Sequence, residues 1–128
     1  MNYYLNKTTD YQFDEAVDKI TMALKDVGFG ILTEIDMKTT LKNKLNIDRR
    51  PYKILGACNP PFANEALSVE EKIGILLPCN VTIIETESGK VDVSIMDPAV
   101  AMSVVENPNL EGLAKEVRKK LETALASI

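Results

Sequence analysis

Residues 79–96, with the sequence CNVTIIETESGKVDVSIM, decide the fold of this chain. Residues 79–86 are rich in β-branched side chains and predict a strand, and the apolar side chains of residues 91–96 alternate with Asp92, Ser94 and Met96 to predict another. Between the two strands lies a short turn in which Gly89 can adopt a positive φ. Strands joined by so short a turn pair antiparallel. The stretch therefore predicts a β-hairpin.

Three further strands are predicted upstream of the hairpin, at residues 2–7, 29–36 and 52–58. No long crossover separates the last four strands of the chain, whereas parallel pairs need one. These four strands are therefore expected to form an antiparallel meander.

In the sequence, one amphipathic helix precedes the last four predicted strands and another follows them. Residues 13–27 carry apolar side chains at spacings of three and four, which predicts a helix with one apolar face. We expect Thr9 to cap this helix, with Gln12 completing a capping box, and Gly28 to end it in the left-handed conformation. The last helix is expected to begin after Asn107 and to present a second apolar stripe.

The predicted order is β-α-β-β-β-β-α, with short helices inserted before and after the third strand, at residues 37–46 and after Asn59-Pro60. Two helices can cover one face of an antiparallel sheet, so the expected class is α+β, a two-layer sandwich in a single domain of residues 1–128. The fourth and fifth strands also carry apolar side chains on their second face. A homodimer that covers this face is therefore expected.

Composition and charge exclude several classes of function. A chain of 128 residues that is 45% hydrophobic can build one core but not two ordinary domains. Its net charge of −4 argues against a nucleic-acid partner, because phosphate binding depends on Lys and Arg. No stretch approaches the ~20 apolar residues that cross a bilayer, and residues 1–7 lack the pattern of a signal peptide. A cytoplasmic protein without membrane partners is expected.

The sequence contains no histidine. This absence removes Ser-His-Asp and Cys-His nucleophilic systems, the common zinc enzymes, and haem ligated by a histidine of this chain. Proton transfer would have to use carboxylates, Lys, Tyr or a thiol. No catalytic constellation is recognisable, so the sequence leaves open whether the chain is an enzyme.

The only two cysteines, Cys58 and Cys79, stand in similar surroundings. Cys58 ends the third strand in ILGACNPP (residues 54–61), and Cys79 begins the fourth in LLPCNV (residues 76–81). In a meander these strand ends are neighbours, so one site can contain both thiols. Cys58 also precedes a predicted helix N-terminus, whose dipole and free amides favour a thiolate.

Several roles fit such a thiol pair: a redox couple, a soft-metal site or an anchor for a ligand. Met96 or Met102 can add a soft ligand, but two thiols alone do not fill a tetrahedral metal shell, and we predict no metal site. Both cysteines can equally be buried packing residues, as free cysteine often is.

The chain resembles the domain of unknown function family 302. The resemblance rests on residues 28–36, on YKILGACNP (residues 52–60), and on LLPCNV running on to Gly89, and it spans nearly the whole chain. It implies a TBP-like β-α-β₄-α fold and a dimer, without an assigned activity. The matching positions that form the candidate ligand-binding site are Cys58, Asn59, Pro60, Pro78, Cys79 and Asn80.

Two functions remain open from the sequence. The first is a small homodimeric binding or interaction module in which the sheet edge at Cys58 and Cys79 takes a small-molecule ligand. The alternative is a thiol-dependent redox, soft-metal or haem-associated protein that uses the same two cysteines. The sequence identifies neither the ligand nor a cofactor.

Overall fold

The structure, a computed structural model, describes residues 2–128. It contains five strands, β1 (Tyr4–Thr9), β2 (Gly30–Asp36), β3 (Tyr52–Cys58), β4 (Cys79–Glu85) and β5 (Val91–Met96). Its helices are α1 (Phe13–Asp26), α2 (Met37–Leu45), α3 (Pro60–Val69), α4 (Pro98–Ala101) and α5 (Pro108–Ala126). Two 3₁₀ helices, Glu71–Leu76 and Met102–Val105, follow α3 and α4.

The strands form one sheet in the order β1-β5-β4-β3-β2, and every neighbouring pair is antiparallel. The predicted meander of the last four strands is confirmed, as is the α+β class with short helices on either side of β3. β1 lies beside β5, with Tyr4 opposite Met96 and Thr9 opposite Val91. The N-terminal strand β1 therefore forms the edge of the sheet next to the β4–β5 hairpin.

The core lies between one face of the sheet and the two long helices α1 and α5. Alternate residues of the central strands, such as Val81, Ile83 and Val93, are fully buried there against Ile20 and Leu121 of the helices. Each such side chain contributes about 1.5–3 kcal/mol by leaving water. In the described residues 2–128 the two long helices pack on this one face, and the opposite face of β4 and β5 is called the open face below.

The beginning of α1 differs from the prediction. Thr9 is the last residue of β1, and its hydroxyl donates to the carbonyl oxygen of Val91 at 2.9 Å. Gln12 occupies the N-cap position, and no side chain caps the helix. The predicted capping box is therefore wrong, because pairing with β5 extends β1 through Thr9 and engages its hydroxyl in the sheet.

Most of the other local predictions at chain reversals are confirmed. Gly28 and Gly89 adopt φ values of +90° and +86°, which only glycine reaches without strain. The side chains of Asn59 and Asn107 cap α3 and α5, each followed by a proline at the first helical position. Caps and turns of this kind depend only on residues a few positions apart, so the local sequence is enough to predict where the chain reverses.

An ion pair between the buried carboxylate of Asp97 and the partly exposed guanidinium of Arg118 ties the end of β5 to α5. Asp97 caps α4 by accepting from the amide of Ala99 at 3.0 Å, and its carboxylate also accepts from Nε of Arg118 at 3.0 Å. Its own backbone amide donates to the carbonyl of Tyr3. Through its amide and its carboxylate together, Asp97 thus links the residue before β1 and the residue after β5 to the last helix.

Candidate functional site

The two cysteines lie at neighbouring ends of β3 and β4. Ala57 is paired with Cys79, so Cys58 is one residue away from the position opposite Cys79. Consecutive Cα atoms are ~3.8 Å apart and paired Cα atoms at most ~5.5 Å, which places the Cα atoms of Cys58 and Cys79 within about 9 Å of each other. One site can therefore include both thiols.

A cavity of about 40 Å³ opens beside these strand ends, between the sheet, α3 and α5. We call it the thiol cavity. Its wall is mainly apolar, and several of its side chains are buried core residues. The lining residues are Phe29, Ala57, Cys58, Asn59, Phe62, Ala63, Ala66, Leu77, Pro78, Cys79, Met102, Leu113 and Val117.

Asn59 fixes the junction between β3 and α3 at one side of the cavity. Its Oδ1 accepts from the amide of Phe62 at 3.3 Å, and a Cβ atom added to Gly28 would lie 2.9 Å from its Nδ2. The absence of a side chain at Gly28 therefore makes room for the Asn59 amide. This packing brings the end of α1 against the start of α3.

The two thiols have different environments. Cys79 is 5% exposed, and burial, assisted by the neighbouring Cys58, raises the pKa of its thiol to about 11. Cys58 is half-buried and lies two residues before the start of α3. Both cysteines are free, and Cys79 is a protonated, neutral group at neutral pH.

The structure brings together four of the six residues that the sequence predicted for the site. Cys58, Asn59, Pro78 and Cys79 line the thiol cavity. Pro60 begins α3 beside the cavity but is not part of its wall. Asn80 points to the open face because successive residues of a strand alternate between faces, and it lines a different concavity there.

Sequence reasoning missed most of the apolar wall. Phe29 directly precedes β2, Phe62 lies in α3, and Leu113 and Val117 lie in α5. Nothing in their local patterns distinguishes these residues from ordinary core residues. Of the two methionines considered as soft ligands, Met102 lines the thiol cavity, whereas Met96 lines the concavity on the open face.

The donor groups around the cysteines are few. Within residues 2–128, no three or more His, Cys, Asp or Glu side chains are grouped so that they could hold a metal ion. Across the same residues, no helix has the length and apolarity needed to cross a membrane.

Comparisons with known proteins agree with the architecture. A family model described as "Domain of unknown function DUF302" matches residues 5–128. The fold is also similar to a crystal structure of an uncharacterised conserved DUF302 protein from Bacillus stearothermophilus, with a TM-score of 0.92 and 23% sequence identity over 99% of this chain and 98% of that one. No curated protein matches the sequence. With its strands, helices and cysteine-bearing strand ends described, the chain belongs to the DUF302 family.

Proposed function

We propose that this protein is a small homodimeric binding module that holds a compact apolar group in the thiol cavity. The observation that carries the proposal is the cavity wall itself. Buried side chains such as Phe29 and Val117 form an apolar lining, and Cys58, Asn59, Pro78 and Cys79 bring two separate family-matching segments to it. Apolar walls with a few polar groups are typical of ligand sites.

The volume limits what the site can take. A cavity of about 40 Å³ has room for roughly three water molecules at 10–15 Å³ each. Complete small-molecule ligands usually occupy about 300–1,000 Å³. The thiol cavity therefore suits one end of a ligand, such as a short alkyl or thioether group, or a single apolar side chain of a partner.

The alternative of thiol-dependent redox, soft-metal or haem-associated chemistry has less support. Its supporting observation is the adjacency of Cys58 and Cys79 at paired strand ends. Thiolate chemistry requires a deprotonated sulfur, whereas burial raises the pKa of Cys79 to about 11. Binding of an apolar group by this wall agrees better with the protonated Cys79, and it is the function we favour.

The homodimer remains part of the proposal, but the surface that supports it is the edge strand β2 and not the second face of β4 and β5. On the open face, β4 and β5 carry mainly polar side chains, so those strands give less support for a partner than their sequence suggested. The edge strand β2 instead exposes Leu32 by 67% and Ile35 by 46%. An unpaired edge with exposed apolar side chains favours a second copy of the chain around β2.

We also place the module in the cytoplasm. The two cysteines lie on adjacent strands and are both free. Neighbouring unbridged thiols support a reducing compartment.

Cavity filling tests the proposed binding. Ala63→Leu enlarges a residue of the cavity wall, and Asn64→Leu adds the same side chain at the adjacent exposed position of α3. Xenon and 1-propanol serve as compact apolar probes, followed by backbone amide chemical shifts. We expect saturable shifts at Phe29 and Cys58 in the wild type and in Asn64→Leu, and none in folded Ala63→Leu.

Two results would count against this function. One is the absence of probe-dependent shifts around the cavity in the wild-type protein. The other is unchanged probe binding in folded Ala63→Leu, which would locate the probes elsewhere.

A further inference from the structure

A large concavity lined by polar and aromatic groups lies on the open face, away from the thiol cavity. It has a volume of about 620 Å³ and extends over β1, β5, β4 and β3. This volume is in the range of small-molecule sites. Three tyrosines, Tyr3, Tyr4 and Tyr52, line it together with the carboxylate of Asp92. We call it the tyrosine concavity.

Asp92 is held by neutral donors. Its carboxylate accepts from Nδ2 of Asn6 and, at 2.9 Å, from the hydroxyl of Ser94, while the same Asn6 amide donates to Ser94 Oγ at 2.9 Å. These bonds fix the orientation of the carboxylate on the sheet surface. Because both donors are neutral, they do not offset its negative charge.

Basic side chains are absent from the lining of this concavity within residues 2–128, and none of those residues forms an ion pair with Asp92. The lysines of the contributing strands lie on the helix-covered face. Lys7 of β1 donates to the carbonyl of Ala126 at 3.3 Å, and Lys53 of β3 pairs with Glu34 at 3.0 Å. Strand alternation thus separates Asp92 from the cations of its own sheet.

The aromatic side chains have the chemistry that complements a cation. Tyr3 and Tyr4 pack edge to face with ring centroids 5.1 Å apart, and Tyr3 is 70% exposed. Tyr52 lines the concavity from β3. The faces of tyrosine rings attract ammonium groups, and the attraction strengthens when water is excluded.

We propose that the tyrosine concavity binds a small organic ammonium ion, with Asp92 as its counter-ion and the tyrosine rings as its aromatic wall. The volume is far larger than a metal ion needs, and a single carboxylate is a sparse donor set for one. An alkylammonium group on a carbon skeleton matches the negative charge, the rings and the space together. This site is separate from the thiol cavity, which lies on the other face of the sheet.

The test compares a cation with its neutral analogue. Choline, 1,4-diaminobutane and the neutral isostere 3,3-dimethyl-1-butanol are titrated into the wild-type protein, followed by amide chemical shifts of β1, β4 and β5. We expect saturable shifts around Asp92 for at least one of the two cations, weaker at higher ionic strength, and none for the neutral alcohol. The relative affinity of the two cations identifies a quaternary or a primary ammonium as the preferred group.

Matched variants locate the site. Asp92→Asn keeps the shape and removes the charge, and we expect it to weaken cation binding about tenfold or more, as charged hydrogen bonds do. Asp18→Asn makes the same change of charge on an exposed residue of α1 and should leave binding unchanged. Tyr52→Leu should weaken cation binding, whereas Tyr52→Phe should retain it. If Asp92→Asn does not fold, this pair of variants tests whether the cation binds in the tyrosine concavity.

Equal binding of the cations and the neutral alcohol would overturn the proposal, as would wild-type affinity in both Asp92→Asn and Tyr52→Leu. A change of oligomeric state in Tyr52→Leu without any response to the cations would also overturn it. That result would assign the surface to a second copy of the chain.

Discussion

The chemistry of the thiol cavity depends most on one residue, Cys79. Its side chain lies in the core beside Val81, and its pKa is about 11 because burial disfavours the thiolate. An unfolded thiol titrates near ~8.5. Between these two pH values the folded chain keeps a proton that the unfolded chain has lost.

This difference predicts a loss of stability at alkaline pH. The contribution of the protonated Cys79 is fully present below about pH 8.5 and is lost as the pH rises towards about 11, because the unfolded state binds fewer protons in that window. The expected loss is about 1.4 kcal/mol per pH unit, or ~3 kcal/mol in all. Denaturant unfolding of Cys79→Ala from pH 7 to about 10 should show a smaller decline than the wild type.

Cys58→Ala is the control, since it leaves the buried thiol in place and should decline as the wild type does. Alkylation gives a second readout of the same property. The variant that retains only the half-buried Cys58 should react faster near neutral pH than the variant that retains only Cys79. Parallel pH profiles of wild type and Cys79→Ala would contradict the prediction.

At the scale of secondary-structure elements, β2, β3 and the segment before β4 meet at Gly56. A Cβ atom at this position would lie 2.1 Å from Oγ1 of Thr33 and 2.6 Å from Cγ of Pro78. Thr33 is paired with Gly56 across β2 and β3, directly after the irregularity in β2. The bare backbone of Gly56 thus allows Pro78 to pack at the strand ends beside the thiol cavity.

Gly56→Ala is therefore expected to destabilise the protein by about 1–3 kcal/mol, as overpacked sites commonly do. Gly30→Ala is the matched control, because an added Cβ there meets no heavy atom within 4 Å. That control should be neutral or stabilising by up to ~1 kcal/mol, since alanine loses less entropy than glycine on folding. Urea midpoints at an unchanged m-value measure both variants. Equal midpoints for the two variants would show that Thr33 and Pro78 move aside freely.

At the scale of the whole molecule, the two edges of the sheet are the surfaces that bear on association. Within residues 2–128, β1 and β2 each pair with a strand on one side only, and β2 carries the exposed Leu32 and Ile35. A two-fold axis beside β2 would place the same apolar residues of two copies opposite each other. The thiol cavity and the tyrosine concavity would remain accessible in such a dimer only if the contact stays near this edge.

We expect the protein to sediment at micromolar concentration with twice the chain mass of 14.2 kDa. The double variant Leu32→Asp/Ile35→Asp should sediment as a monomer, because it places charges in the proposed contact. Ile75→Asp changes an isoleucine that is 82% exposed elsewhere and should leave the dimer intact. A monomeric wild type would refute the homodimer, and dissociation caused by Ile75→Asp alone would move the interface away from β2.

The sequence by itself determined the α+β class, the order of the elements and most of the chain reversals. Alternation in residues 91–96, the positive φ of Gly89 and the cap at Asn59 all depend on residues a few positions apart, so local patterns predict them. It also identified the neighbouring cysteines, because consecutive strands of a meander must pair end to end.

The tertiary structure alone decided the long-range features. β1 pairs with β5 across more than eighty residues, and this pairing turns Thr9 from a predicted helix cap into a strand residue and brings Asn6 to Asp92. The same assembly of distant segments builds the thiol cavity. Such contacts depend on which surfaces pack together to bury the most apolar area, and local sequence patterns do not encode that choice.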